Sequence, residues 1–336
     1  MNIDDLDYDL PTELIAQEPL QNRDGSRLLH FDRASGTTHH RQFRDALELL
    51  QPGDLLIMNN TRVSALRLFG QKSTGAQVEA LLIKETEPGT FLCLLKPAKR
   101  LPIGTQINFE QELTATVTGE SEAGQRYITF EQQEGWRETL NEIGLAPLPP
   151  YIHTHLSNRE RYQTVVAQHE GSAAAPTAGL HFTKDFLEQL VQKGIQTAEV
   201  TLHVGLDTFR PIQADRIEDH HMHGEYCEIP PITAKMVAEC RGRIIAVGTT
   251  TVRTLETFAT GKRQLSAGKT VSKIFITPGY NFKIVDGMFT NFHMPRTSML
   301  LMISALATPE IIQSAYKEAV NLRYRFLSFG DSMLIL

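Results

Sequence analysis

The sequence predicts an α/β protein: a mixed-sheet main domain with helices on its faces, interrupted by an inserted small β-barrel. Three observations carry that expectation. The 336 residues exceed what a single hydrophobic core usually organises, so two units are expected. Between Leu66 and Phe130 short strand-like segments recur without helical spacing, the pattern of a small barrel. After Tyr151 helix and strand patterns alternate, the pattern of an α/β layer structure. The expected boundaries are 1–65 with 151–336 for the main domain and 66–150 for the barrel.

The barrel segments are LRLFGQ, QVEALLIKE, FLCLLK, TQINFE, LTATVTG and RYITFE, separated by Gly, Pro, Ser and Thr. A short helical piece, WRETLNEIG, follows, and the proline-rich APLPPY from Ala146 to Tyr151 reads as a linker. Phe186, Leu187, Leu190 and Val191 have helical spacing, and Gly194 is placed to cap that helix. From Ile195 to Val204 the apolar Ala198, Val200, Leu202 and Val204 alternate with Glu199, Thr201 and His203, predicting a strand with one polar face. A helix is expected from Thr233 to Cys240, then the apolar strand RIIAVG, then the helical TTVRTLETF. Thr308 and Pro309 read as N-cap and first turn of a helix ending near Val320. There is no internal repeat and no low-complexity tract.

A hydrophobic fraction of 41% and a charged fraction of 21% are those of a globular protein. The N-terminal stretch carries four aspartates before Leu10 and no basic region, so it does not read as a secretory signal. The longest apolar stretch, Met299 to Ala307, is too short for a membrane span, and Ser304 interrupts it. Cys93, Cys227 and Cys240 lie far apart and form no CxxC pair, which argues for a reducing, cytoplasmic compartment. At a net charge of −6, any polyanion must be met by a local basic patch. The best such patch is LKPAKRL, with Lys96, Lys99 and Arg100, joined by Arg62 and Arg67; three charges in five residues are also what ordinary solvated surface looks like.

RIIAVG ends in Gly248, and Thr249, Thr250 and Thr251 then open a helix bearing Arg253. Backbone N–H groups and hydroxyls at a helix start form a cradle for a carboxylate or phosphate, and equally a plain threonine cap. The GxGxxG spacing of a dinucleotide site is absent. GKT at Gly268–Thr270 is not a P-loop, because Arg263 stands where its first glycine would be.

His220, His221, His223, Glu225 and Glu228 lie within nine residues. His221, His223 and Glu228 fit HxHxxxxE metal-ligand spacing, although Asp215 and Lys235 stand where flanking glycines would be expected. The same residues suit a metal-free polar cleft in which one imidazole is a general base, or plain surface histidines. His181 follows the small residues of APTAGL, His203 lies on the polar strand face, and His293 sits in TNFHMP; a lone histidine is more often structural.

Together the segments DYDLPTELIAQEPL, RDGSRLL, GDLLIMNNTRV, KPAKRL, GLAPLPPYI, RYQTVVA, APTAGLHFT, TLHVGL, HHMHGEY, RIIAVGTTTVRTLE, FITPGYNFKIVDGMFTNFHMP and YRFLSFGDSMLI resemble, in order and over nearly the whole chain, the S-adenosylmethionine:tRNA ribosyltransferase-isomerase family of the queuosine pathway. Asp207, Thr251 and Met294 depart from its pattern, standing where glycine, serine and leucine are usual. The resemblance implies an α/β domain with an inserted barrel. It implies an enzyme that moves the ribosyl part of S-adenosylmethionine, a co-substrate, onto 7-aminomethyl-7-deazaguanine at the tRNA wobble position, releasing adenine and methionine.

Under that resemblance His203 or His223 is expected as the base that takes a proton beside the sulfonium, with His181 or His293 helping adenine leave. Phe182 or Tyr280 would face the sulfonium. Thr177, Thr249, Thr250, Thr251, Arg253 and Asn291 would hold the remainder of the co-substrate, and Lys96, Lys99, Arg100 and Arg62 would touch tRNA. A monomer without a metal is expected. The alternatives are a metal-dependent small-molecule enzyme using His221, His223 and Glu228, and a non-catalytic RNA-binding module.

Overall fold

The computed structural model describes residues 7–122, 124–205, 208, 212, 216–220 and 222–336. Its centre is a nine-stranded mixed sheet in the order Gly268–Ser272, Glu225–Ile229, Gln196–Leu202, Leu55–Asn59, Ile244–Val247, Gly287–Asn291, Ser332–Ile335, Arg27–Asp32 and Thr37–Gln42. Four neighbouring strands in the middle, Gln196–Leu202 to Gly287–Asn291, run parallel, and antiparallel strands flank them. The central strands are apolar throughout because both faces are covered. Leu55, Ile57, Ile244 and Ala246 enter one core. Leu56, Met58, Ile245 and Val247 enter the other.

Helices Pro231–Glu239, Thr249–Thr257, Ser298–Leu306 and Pro309–Asn321 contribute to the first core; helix Lys184–Gln192 contributes Phe186 and Leu190 to the second. Local chemistry sets their ends. Thr183 Oγ1 accepts from Phe186 N at 3.1 Å and Gly194 turns the chain at φ +91°, while Thr308 caps Ile311 N ahead of Pro309. The apolar Ser298–Leu306 is a core helix, with Leu300, Leu301, Met302 and Ile303 buried. Among the described residues no single helix is long and apolar enough to cross a membrane.

The six expected strands close into a barrel, in the order Arg126–Phe130, Thr90–Lys96, Gln77–Glu87, Leu66–Lys72, Gln106–Phe109 and Thr114–Glu120. Its interior is filled by alternate residues such as Leu68, Val78, Leu95, Ile107, Val117 and Ile128, and helix Trp136–Ile143 packs Leu140 against it. The chain is thus α/β with an inserted barrel. The APLPPY segment is more than a spacer, because Leu148 is buried with Ile152 and Tyr162. The polar face of Gln196–Leu202 is half-buried, and its groups pair within the protein. Thr201 Oγ1 donates to Asn60 Oδ1 at 2.7 Å, and Asn60 Nδ2 donates to Glu199 Oε2 at 2.9 Å.

Candidate active site

In an open sheet with parallel strands, ligands settle outside the carboxyl ends of those strands. A cleft lies there. It is lined by Val204 beyond Gln196–Leu202, by Gly248, Thr249 and Thr250 beyond Ile244–Val247, by Asn291 and His293 at and beyond the end of Gly287–Asn291, and by Thr177 from the short turn Thr177–His181. Gly248 makes the sharp entry to helix Thr249–Thr257 at φ +86°, and no side chain caps that helix start. Its first turn therefore offers N–H groups to an anion. Asn59, closing the central strand, donates to Leu202 O at 3.0 Å and to Thr250 Oγ1 at 3.2 Å, which fixes the threonine. The sequence reading missed Asn59 and Asn60; two amides ending the apolar run LLIM were the available signal.

On the cleft wall Thr177 Oγ1 donates to Asn291 Oδ1 at 3.2 Å, and Asn291 Nδ2 donates to Leu327 O at 3.1 Å and to His181 Nε2 at 3.2 Å. That leaves the His181 proton on Nδ1, where it is donated to Ser26 Oγ at 2.9 Å. His181 stacks on Phe43 and is buried; burial, with Arg325 and Arg23 nearby, pushes its pKa down from 6.5 to about 4. It stands behind the cleft, one amide away. His293 lines the cleft itself, with Nε2 at 2.6 Å from Thr290 Oγ1, and burial pushes it down to about 3. Both are neutral imidazoles at pH 7.

A smaller pocket adjoins the cleft through Thr208, Thr249, Thr250 and Met299, and carries His223 and Arg253. Arg253 is ion-paired to Glu225, with side chains only 6% and 1% exposed, and the Arg253 Nε is buried without a partner. Glu225 also accepts from Gly205 N at 2.9 Å and Thr208 Oγ1 at 2.8 Å, and its Oε1 lies 3.6 Å from His223 Nε2. Burial pushes the Glu225 carboxyl up, yet His223, Arg253 and these donors outweigh it and hold it below the ordinary range. His223 therefore faces an ionised carboxylate inside the pocket.

Other expected residues fall elsewhere. Residues 203 and 204 leave the sheet edge on opposite faces, so Val204 lines the cleft and His203 does not. His203 lines a separate groove of about 570 Å³ between barrel and sheet, together with Arg62, Lys84, Arg137 and Arg159. There it stacks on Tyr226, shares a hydrogen bond of 2.8 Å between its Nδ1 and Thr61 Oγ1, and has its pKa lowered by burial and by His169. Phe182 is wholly buried against Phe43 and Phe289 in the second core, which removes it from the sulfonium's reach. Thr251 is also fully buried, its Oγ1 donating to Val247 O at 2.7 Å, because the helix turns it away from Thr249. Tyr280 donates to Glu256 Oε2 at 3.1 Å, in a clasp where Glu256 also takes the N–H groups of Lys283, Ile284 and Val285. It is not part of the cleft lining.

Lys96, Lys99 and Arg100 are exposed on the barrel, Lys96 lying 3.8 Å from Glu79, while Arg62 pairs with Glu160. The metal reading finds no support among the described residues. His221 and Asp207 lie outside the described residues. His223 and Glu228 are an odd number of residues apart: Glu225 turns inward to Arg253, whereas Glu228 turns outward to Tyr226 and Lys269. Among the described residues no three His, Cys, Asp or Glu side chains converge as metal ligands would.

Residues 3–335 match the family model described as "Queuosine biosynthesis protein". The chain belongs to the queuosine biosynthesis family. A curated relative from Desulforamulus reducens, named S-adenosylmethionine:tRNA ribosyltransferase-isomerase, is 47% identical over 100% of both chains. The crystal structure of an S-adenosylmethionine tRNA ribosyltransferase from Thermotoga maritima is 38% identical, covers 99% of this chain and 100% of its own, and superposes with a TM-score of 0.56. Within this family the expected motifs meet at one place: APTAGLHFT, GTTTVRT and TNFHMP all border the cleft, and HHMHGEY supplies its adjoining pocket.

Proposed function

We propose that this chain transfers and isomerises the ribosyl part of S-adenosylmethionine onto 7-aminomethyl-7-deazaguanine at the wobble position of tRNA, giving epoxyqueuosine and releasing adenine and methionine. The observation that carries this reading is the family match over residues 3–335. The cleft at the strand ends and its adjoining pocket are where the chemistry is assigned. A monomeric enzyme acting in the cytoplasm, where its two substrates are found, completes the reading.

The sulfonium withdraws electrons from the ribose 5′ carbon, so a base placed there can remove a proton and start the elimination of adenine. His223 is assigned as that base. Its carboxylate neighbour Glu225 offsets the positive charge that an imidazole gains on taking a proton. Thr249, Thr250 and Arg253 hold the methionine carboxylate at the uncapped helix start. His293, Asn291 and Thr177 hydrogen-bond the departing adenine, and His181 positions Asn291. His293 works as a neutral hydrogen-bonding group, since burial keeps it unprotonated. Lys96, Lys99, Arg100 and Arg62 contact the tRNA backbone. The target base must leave the anticodon stack, which is easier in a single-stranded loop.

Incubating the protein with S-adenosylmethionine and tRNA bearing the deazaguanine precursor tests the reading. Adenine and methionine are the expected products. S-adenosylhomocysteine would mean methyl transfer and would overturn it.

A further inference from the structure

Three segments singled out in the sequence, RDGSRLL, RYQTVVA and YRFLSFGDSMLI, gather positive charge behind the cleft: Arg23 and Arg161 line one narrow pocket with His181, and the charge of Arg325 reaches that histidine. Each guanidinium is held by backbone carbonyls. Arg23 donates to Gln163 O at 2.7 Å and Glu160 O at 2.9 Å, Arg161 to Gln21 O at 3.2 Å and to Leu20 O, and Arg325 to Glu18 O. Carbonyls fix a guanidinium without cancelling its charge. Other arginines of the main domain are neutralised: Arg27 by Asp331, Arg44 by Asp24, Arg243 by Asp54 and Arg253 by Glu225. Among the described residues no carboxylate side chain forms an ion pair with Arg23, Arg161 or Arg325. Arg161 Nε and Arg325 Nη1 are moreover buried with no partner at all. Burial and then the charge of Arg161 lower the Arg23 pKa with Glu160 opposing them, and at Arg325 Asp331 and Glu18 offset part of the effect of burial.

The location connects this charge to the cleft. The narrow pocket shares Ser328 with the cleft and reaches His181, which is one hydrogen bond from the cleft residue Asn291. On its other side Arg23 and Arg161 also line an open depression of about 510 Å³, together with the paired Arg44 and Asp24, the exposed Asp185, and Gln21 and Gln189. A strand lying in the depression would pass two fixed guanidiniums. Guanidiniums held in place are suited to phosphate, because they meet its oxygens with paired N–H donors and lose little freedom in doing so. With a net charge of −6, only such a local patch can attract RNA.

We propose that the depression carrying Arg23 and Arg161, with Arg325 behind it, binds phosphates of the tRNA anticodon strand whose base enters the cleft. This rests on the tRNA reading above. It adds a further main-domain anchor to Arg62 and to the contacts assigned to the barrel.

The test adds charge without removing a hydrogen bond. Gln21 and Gln189 are both exposed, so the double variant Gln21→Glu, Gln189→Glu places two carboxylates on the rim of the depression. Its KM for precursor tRNA should rise by roughly tenfold at low salt, with the gap closing as salt is raised, because the interaction is one of charge with phosphate. The KM for S-adenosylmethionine and kcat should hold. Arg161→Gln, checked for an intact thermal transition, should flatten the dependence of log KM on log salt by about 0.7 for each phosphate that is no longer neutralised. Unmoved tRNA KM and salt slope in both variants, with the wild type active, would make these arginines carbonyl staples only and overturn the proposal. A wild type that releases no adenine with precursor tRNA would instead overturn the functional reading on which it rests.

Discussion

At the scale of the residue, the Glu225 and Arg253 pair decides most about the adjoining pocket. Both side chains are almost wholly out of water, so each charge depends on the other. Glu225→Gln keeps the shape but strands the guanidinium, and should lower stability by about 3–5 kcal/mol. Urea unfolding checks this; an unchanged midpoint would show that the pair carries no such weight. Sequence spacing groups Glu225 with the histidines without revealing its partner, since Arg253 lies 28 positions away. The same limit separates His203 from the cleft. Its residue type suits a base, but which face of the sheet edge it leaves on depends on strand register.

At the scale of the element, helix Thr249–Thr257 shows what a local motif can and cannot say. Gly248 followed by threonines predicts an anion cradle or a plain threonine cap, and the structure has glycine at the cap position with no side-chain cap bond. A β-carbon at Gly248 would meet Ala178 at an ordinary 3.5 Å, so the cost of Gly248→Ala comes from its φ of +86° rather than from crowding. With ψ at 156° the backbone lies in a region that essentially only glycine adopts, and that cost is about 1–3 kcal/mol. Because the strain falls on the first helical turn, the KM for S-adenosylmethionine should rise along with the loss of thermal stability. Thr308→Ala, which removes a cap far from the cleft lining, should cost a similar ~0.5–2 kcal/mol and leave that KM alone. Equal effects of the two variants on KM would count against the cradle. Thr251, third in the same run, groups with its neighbours in sequence because composition does not show rotation about the helix.

At the scale of the whole molecule, the main domain buries His181 and His293 in neutral form, and this links stability to pH. His181 and His293 titrate near 6.5 when unfolded and are pushed down to about 4 and about 3 by burial. Below 6.5 the unfolded chain therefore binds protons that the folded one refuses, so their stabilisation is complete above pH 6.5 and is lost as pH falls toward 4 and 3. A tenfold drop in proton affinity corresponds to about 1.4 kcal/mol. The melting temperature, followed from pH 7.5 to 4.5, should fall below 6.5, and less steeply in His293→Gln. An identical slope in that variant would sink the assignment.

Motif order along the chain determined the family, and periodicity determined the elements: the six barrel strands, the cap at Thr308 and the helix at Lys184 are local patterns that neighbouring residues suffice to produce. Tertiary structure alone decided which polar groups face one another. Strand order brings Asn59, Thr250 and Asn291 to a common end of the sheet, pleat parity sends His203 and Glu228 away from it, and core packing withdraws Phe182. The physical reason is that hydrophobic period and capping act over a few residues, whereas the cleft is made by strand neighbours that lie far apart in the chain and meet only when the sheet is assembled.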